Sequence, residues 1–522
     1  MSRVQKEKVV VSVDMGTTST KTIVFAQDGT ILGSHSEGYP LFTPQPDRAE
    51  QDPLQIFQAV MTGIQTVLTL SDVSSSEVLC VSFSSAMHSL LVVDEHVNPL
   101  SPCMTWADNR SEEYVKQLKV DSKGHDIYMA TGTPIHPMSP LLKLMWLKEH
   151  DPQLFTIAYK FIGIKEFVFA KLFNQFVVDY SIASATGLFN LQHLSWHLPS
   201  LELAGVTAKR LSLPVSTTHR MKGLLDPTYA AEMGLSTDTP FIIGASDGVL
   251  ANLGVGAFEP GIFAVTIGTS GAIRGVVRKP VTDPLGRLFC YALNEDFWVI
   301  GGAINNGGIM LRWVRDQLAT LETEEARRLD LDPYDYLVSL AGGVEAGSGG
   351  LLFLPLLTGE RAPYWNANAR GVFFGLSLLH EKKHMIRAVL EGVVYLLFSI
   401  FAALVEIAGP ALEIRASGGF ARSAIWCQIM ADVFETSVTV PNCIESSSIG
   451  AAYLGLWAMG EVEDLTGVHQ WIQAGLNHQT NPDHHETYQQ LTRIYTKVYH
   501  QLTNEFDEIT AFQENTAFEQ KK

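Results

Sequence analysis

Apolar and polar positions first fall into a readable pattern at Val9 to Phe25. There a β-branched run breaks at a small-residue turn around Gly16 to Ser19 and resumes as a second β-branched run. That pattern predicts a hairpin. The pair Asp28 and Gly29 supplies the next tight turn, and a third strand is predicted over 30–36, so the chain opens as an antiparallel meander. Helical periodicity then predicts helices over 52–68, 139–150 and 163–172, alternating with strands over 78–84 and 89–94. The alternation resumes later with a strand over 297–301 and helices over 383–407 and 423–434, an apolar strand (412–416) preceding the last helix. This is the pattern of a mixed α/β protein. The longest predominantly apolar stretch, Val393 to Val405, is too short to span a bilayer. It is bracketed by Glu391 and Glu406, so it predicts a buried helix.

The chain also resembles itself. Around Gly261 to Val277 the opening recurs, with Val265 on Val13, Gly268 on Gly16 and Thr269 on Thr17, close to half the chain length away. Two strand-turn-strand units at that separation predict two lobes of similar topology. The repeat position places the boundary at the turn Gly254 to Gly256, giving lobes 1–254 and 255–522. A stretch over 487–512 predicts one or more helices. They would dock on their own lobe or on a second subunit, which leaves a homodimer open.

Composition narrows the partners. The 522 residues carry 37 Lys and Arg against 55 Asp and Glu, a net charge of −18, which disfavours nucleic acid and anionic membranes as partners. Cys80, Cys103, Cys290, Cys427 and Cys443 are scattered without a CxxC pair, which predicts reduced thiols and a cytoplasmic setting. The first tip, Asp14 to Lys21, offers turn N–H groups, hydroxyls, a carboxylate and a lysine, a set able to hold phosphate oxygens and a hydrated Mg²⁺. It is neither a P-loop nor a Rossmann turn. The second tip, Gly268 to Gly271, could clasp the same polyphosphate, and a glycine cluster at Ser417 to Ser423 could approach a ring or a phosphate.

Asp247 closes an apolar strand and opens a helix. Such a carboxylate could accept the proton of a hydroxyl attacking a γ-phosphate, although spacing alone fits an N-cap or an Asp-Gly turn as well. Ser84 to His88 and Thr105 to Arg110 are polar patches suited to a small substrate; His88 and Trp106 taken singly read equally as core. Lys143 and Trp146 read as one face of an amphipathic surface helix, and the pair His484 and His485 as a solvated loop.

Together these residues resemble the FGGY carbohydrate kinases. The run Met138 to His150 is similar to the family's first signature. Gly371 to Leu376, followed by His384, Met385 and Ala388 to Gly392, is similar to its second, and the resemblance covers about residues 8 to 460. It implies an α/β fold of two ribonuclease-H-like lobes, as in actin-like ATPases, with ATP in an interdomain cleft and closure that excludes water. By position it implies Asp14 as the metal-associated aspartate, with Gly16, Thr17, Thr18 and Lys21 as the first phosphate loop and Gly268 and Thr269 as the second. Gly308, Gly419, Phe420 and Ser423 would contact the nucleotide, and Asp247 would be the catalytic base. Met87, His88, Asp108 and Arg110 would face the sugar.

Several segments are similar to those of the family's gluconate-phosphorylating members: 83–89, 105–111, 132–137, 159–166 and 301–308. The pair Met87 and His88 departs from the Arg-Glu pair of glycerol kinases. The implied substrates are ATP and a small sugar acid, gluconate going to 6-phosphogluconate, with Arg110 and Lys165 as candidate cations for the acid group. The alternatives are a kinase for xylulose or a polyol, a switch ATPase, and a silent sugar-binding regulator. The presence of Asp14, Lys21 and Asp247 weighs against the last.

Overall fold

The computed structural model describes residues 8–120, 122–442, 445–473 and 475–519. The strands that position the site are, in chain order, β1 (Val9–Met15), β2 (Ser19–Ala26), β3 (Ile31–Gly38), β4 (Val78–Ser85), β5 (Arg220–Met221), β6 (Phe241–Ser246), β7 (Ile262–Ile267), β8 (Gly271–Val277), β9 (Trp298–Ile304), β10 (Glu413–Ser417), β11 (Val438–Val440) and β12 (Leu476–His478). The helices are α1 (Pro53–Leu70), α2 (Pro140–His150), α3 (Ile164–Phe173), α4 (Asp247–Gly254), α5 (Pro333–Gly342), α6 (Lys382–Ala408), α7 (Ala424–Phe434), α8 (Ser446–Met459), α9 (His485–Gln501) and α10 (Thr503–Glu519).

The chain forms two compact units. The first holds residues 1–259, 276–300 and 445–473, and the second holds 260–275, 301–444 and 474–522. The division near 259 falls close to the single boundary placed at Gly254. The segments 276–300 and 445–473, however, return to the first unit, which a linear repeat does not reveal.

In the first unit six strands lie in the order β5-β6-β4-β1-β2-β3. β1 and β2 form the predicted hairpin, β3 adds antiparallel to β2, and β4 and β6 run parallel to β1. The burial pattern follows from position: Val9 to Val13 are buried throughout on a central strand, whereas β3, at the edge, alternates. Asp52 caps α1, its Oδ1 accepting the Leu54 amide at 2.9 Å, and Pro53 occupies the first helical turn. α1 then lays Ile56, Val60, Ile64 and Val67 into the core shared with Phe167 and Phe169 of α3. α2 builds a second core through Leu141, Leu142, Leu144 and Leu147. It is not a surface helix, because Lys143 on its polar side is itself fully buried.

The strands of the second unit follow the same plan, in the order β9-β8-β7-β10-β11-β12. β7 and β8 pair antiparallel, β10 and β11 run parallel to β7, and β12 returns antiparallel. The internal repeat is therefore a repeat of topology. Its two tips differ by one residue: Met15 faces Thr20 across the first, and Ile267 faces Gly271 across the second. α6 is long and apolar enough to cross a membrane, yet most of it is buried inside the protein. α9 docks on its own unit, where the Tyr488 hydroxyl donates to Glu391 of α6 at 2.9 Å. From α10, Thr510 donates to Asn368 O at 3.0 Å. Cys80, Cys103, Cys290 and Cys427 are buried free thiols, and Cys443 lies outside the described residues.

In the first unit α4 and α8 meet backbone to backbone. A Cβ on Gly254 would lie 1.7 Å from Ser446 O, and one on Gly450 would lie 2.1 Å from Leu250 O. Neither neighbour is a flexible side chain that could swing aside. Gly450→Ala is expected to push the helices apart at a cost of about 1–3 kcal/mol, read as a lowered urea midpoint.

Candidate active site

The parallel register of the first unit brings three strand ends to one edge. Asp14 on β1 lies opposite Ser84 on β4, and Ser246 on β6 lies opposite Ser85. In open α/β sheets the edge at the carboxyl ends of parallel strands is where ligands bind. Asp14 is half-buried there. Its Oδ2 accepts from the Ser447 hydroxyl of α8, while Oδ1 is buried with no hydrogen-bond partner among the described residues. Burial pushes the carboxyl pKa up, opposed by the Ser447 and Ser84 hydroxyls and by the Lys21 charge, with Glu445 adding to the rise. A buried carboxylate oxygen of this kind fits a hydrated divalent cation.

The first tip is braced from below. Gly16 N donates to Ser19 O at 2.9 Å, the Tyr39 hydroxyl to Gly16 O at 2.7 Å and Gln51 Nε2 to Thr17 O at 2.6 Å. The Trp106 indole donates to Thr17 Oγ1 at 3.0 Å, which joins the tip to the 105–110 segment. Thr18 is exposed at the apex, and Lys21 pairs with Glu445. Met87, Trp106 and Thr17 together line a space of about 10 Å³, room for one water.

Asp247 opens α4 at the same edge as Asp14. Ser246 occupies the cap position, and Asp247 Oδ1 accepts the Gly248 amide at 2.6 Å. Lys165 of α3 is buried beside it. Its Nζ pairs with Asp179 at 2.7 Å and donates to Ala245 O at 3.0 Å, two residues before Asp247. Burial pushes the Lys165 pKa down, and the charges of Asp179 and, among others, Asp247 oppose this.

His88 has a left-handed backbone, φ +68°. Its Nδ1 lies 2.7 Å from Ala185 O, and since a carbonyl only accepts, Nδ1 carries the proton. Arg110 donates from Nε to Asp108 Oδ1 at 2.8 Å and from Nη2 to Asp108 Oδ2 at 2.7 Å, and it also pairs with Glu50. Asp108 in turn accepts the Ala49 amide at 2.9 Å. Both residues therefore face the protein, and the Arg110 charge is matched by two carboxylates.

The second unit contains a cavity of about 240 Å³ beside the second tip. Gly268, Thr269, Gly308, Gly419, Phe420 and Ser423 line it, with Tyr334 of α5 and Trp426 of α7 among its walls. All six nucleotide candidates assigned to this half of the chain meet in this one space. Gly308 N donates to Gly268 O at 2.7 Å, and a Cβ on Gly308 would lie 2.6 Å from that oxygen. Gly418, at φ +89°, comes equally close to Ile267 O. Glycine is required at both places for the backbones to approach. Ser423 caps α7, its Oγ accepting the Trp426 amide at 3.1 Å.

Sequence reasoning missed Glu360, which holds the Gly308 loop from behind. Its carboxylate accepts from Asn305 N at 2.6 Å, Arg361 N at 2.8 Å and Asn306 Nδ2 at 2.8 Å. It also missed Ser447 and Glu445, which reach the first tip from more than 400 residues away, a distance at which no local pattern signals contact.

Two models of the FGGY family of carbohydrate kinases match the chain, that of the N-terminal domain over residues 9–254 and that of the C-terminal domain over 263–459. The chain belongs to this family and is a carbohydrate kinase, an ATP-using class of enzyme. It is 49% identical to the gluconokinase of Bacillus subtilis, over 97% of this chain and 98% of that protein. Among solved structures, a gluconate kinase and a ligand-bound xylulose kinase, both from Lactobacillus acidophilus, match with TM-scores of 0.91 at 35% identity. Each covers 96% of this chain, and the matches span 99% and 100% of those chains respectively.

Burial pushes the Glu360 pKa up to about 7, against the pull of its hydrogen-bond donors. A carboxyl raised in the folded state contributes stability that is complete below its unfolded value, 4.5, and lost as pH rises through about 7. The urea midpoint of the wild type is therefore expected to fall between pH 4.5 and 7 by more than that of Glu360→Gln, which lacks the titrating group.

Proposed function

We propose that the protein transfers the γ-phosphoryl group of ATP to the 6-hydroxyl of D-gluconate. The observation that carries this reading is the 49% identity to a gluconokinase across nearly the whole of both chains. Asp247 takes the hydroxyl proton as the oxygen bonds to the γ-phosphorus and the bond to the bridging oxygen of ADP breaks. Its place at the first turn of α4, at the same sheet edge as Asp14, suits this role, and the Lys165 bond to Ala245 O holds the backbone just before it. Asp14, through its buried Oδ1, is the residue that would hold Mg²⁺, which when bound supplies charge neutralisation to the triphosphate. Gly16, Thr17, Thr18 and Lys21 in the first unit, and Gly268 and Thr269 in the second, receive phosphate oxygens. The cavity between Tyr334 and Trp426 takes the nucleoside, next to Gly308, Gly419, Phe420 and Ser423.

Met87, His88 and Trp106 face the acceptor in this reading. Arg110 and Asp108 take a different part from the one their sequence positions imply: with its charge already shared between Asp108 and Glu50, Arg110 braces the Trp106 loop. Lys165, whose Nζ donates to Ala245 O two residues before Asp247, remains the candidate cation for the acid group. Reduced cysteines and ATP as phosphoryl donor suit a cytoplasmic setting. A second reading, a pentulose kinase, is favoured by the xylulose kinase structure that matches as well as the gluconate kinase does.

ADP release with Mg-ATP across D-gluconate, D-xylulose, L-ribulose and glycerol separates the readings. Turnover dominated by gluconate is expected, and dominance by xylulose would replace the first reading with the second. Asp247→Ala is expected to lower kcat by about 10²–10⁴-fold while ATP binding persists; near-normal turnover would remove Asp247 from the proton transfer.

A further inference from the structure

Lys143 lies on α2 with its side chain fully buried. Among the described residues no carboxylate forms an ion pair with it, and the charge of Asp108 acts on it without direct contact. A lysine is rarely buried without a paired charge, because removing an ammonium from water is costly. Burial pushes its pKa down to about 7, which reflects that cost. Packing alone does not call for an amine here, since an unbranched apolar side chain would fill the same course through the core.

What the amine does is specific. Nζ donates to His88 O at 2.7 Å and to Thr105 O at 2.7 Å. These carbonyls flank the antiparallel bridge between Leu90 and Met104, so Lys143 adds to that backbone pairing at the ends where the His88 turn and the Trp106 loop leave it. His88 is held in the left-handed region, which a residue with a side chain occupies only where its surroundings fix it. Thr105 precedes Trp106, whose indole holds the Thr17 hydroxyl of the first tip.

We infer that Lys143 is a positioning residue for the acceptor: its two hydrogen bonds set the spacing between the His88 turn and the Trp106 loop, and with it the shape of the acceptor pocket. The inference rests on reading Met87, His88 and Trp106 as acceptor-facing. Lys143 touches backbone on both sides and acts through those residues. An amine donating to two carbonyls resists separation of the segments in a way that a methionine in the same volume does not.

The test is steady-state kinetics of the full-length wild type, Lys143→Met and Lys143→Gln, with gluconate, xylulose and ATP each varied in turn. Lys143→Met is expected to raise the gluconate KM by about tenfold or more and to shift the ratio of kcat/KM for gluconate over xylulose, with the ATP KM within about twofold of wild type. Lys143→Gln, which keeps N–H donors on a shorter side chain, should recover part of the loss. A folded Lys143→Met with an unchanged acceptor KM and an unchanged acceptor ratio would overturn the inference. So would a loss confined to soluble yield or to kcat for every substrate, and so would failure of both variants to fold, each of which assigns Lys143 to core stability. A wild type that turns over xylulose and not gluconate would overturn the substrate reading alone, and the Lys143 comparison then stands on the xylulose KM.

Discussion

The parallel pairing of β1, β4 and β6 at their carboxyl ends is the constraint on which the first unit depends. Because Asp14 faces Ser84 and Ser85 faces Ser246, three strands end together, and whatever follows each strand emerges at the same edge. A register slip of one residue in any of them would turn the following side chain to the opposite face of the sheet. Asp14, the Met87 and His88 turn and Asp247 thus owe their proximity to backbone hydrogen bonds rather than to contacts with one another. Around this edge the protein has placed buried polar groups that each hold a backbone segment: Lys165 at Ala245, Lys143 at His88 and Thr105, and Arg110 through Asp108 at Ala49.

The second unit uses the same strand plan for different chemistry. Where β1 carries Asp14, the corresponding place on β7 is Thr266, whose hydroxyl lies 2.9 Å from that of Ser417. The anionic group is gone, and the neighbouring glycines instead let three backbones crowd together around the second tip. Gly268, Gly308 and Gly418 make those contacts, and Glu360 stabilises them from behind through Asn305 and Asn306. The duplicated hairpin thus serves a carboxylate site in one unit and a nucleoside-sized cavity in the other.

Most of the fold was legible because its signals are local. The β-branched run broken at Gly16, the Asp28 and Gly29 turn and the helix periods each report on their own neighbours, and the observed elements match them to within a few residues. The glycine cluster at 417–423 and both tips were also visible as breaks in pattern. What could not be read depends on which surfaces meet. Lys143 looked like part of a solvated helix face, since periodicity shows that a face is polar and not what covers it. Arg110 looked like a free cation because its partners, Asp108 and Glu50, are identified only once the 42–51 loop folds against the 103–110 segment. Asp247 kept its N-cap alternative until Ser246 was seen to occupy the cap.

The interleaving of the chain has a consequence for the order in which the protein is made. Asp14 is made 433 residues before Ser447, whose hydroxyl holds its Oδ2, and the helix that packs on α4 is α8. Lys21 likewise waits for Glu445. A nascent chain that has completed β1 to β6 has its sheet but neither the partner of its acidic group nor the wall behind α4. That strand-end edge is therefore completed only once residues 445–459 have been made, so a chain that stops short of them does not display it.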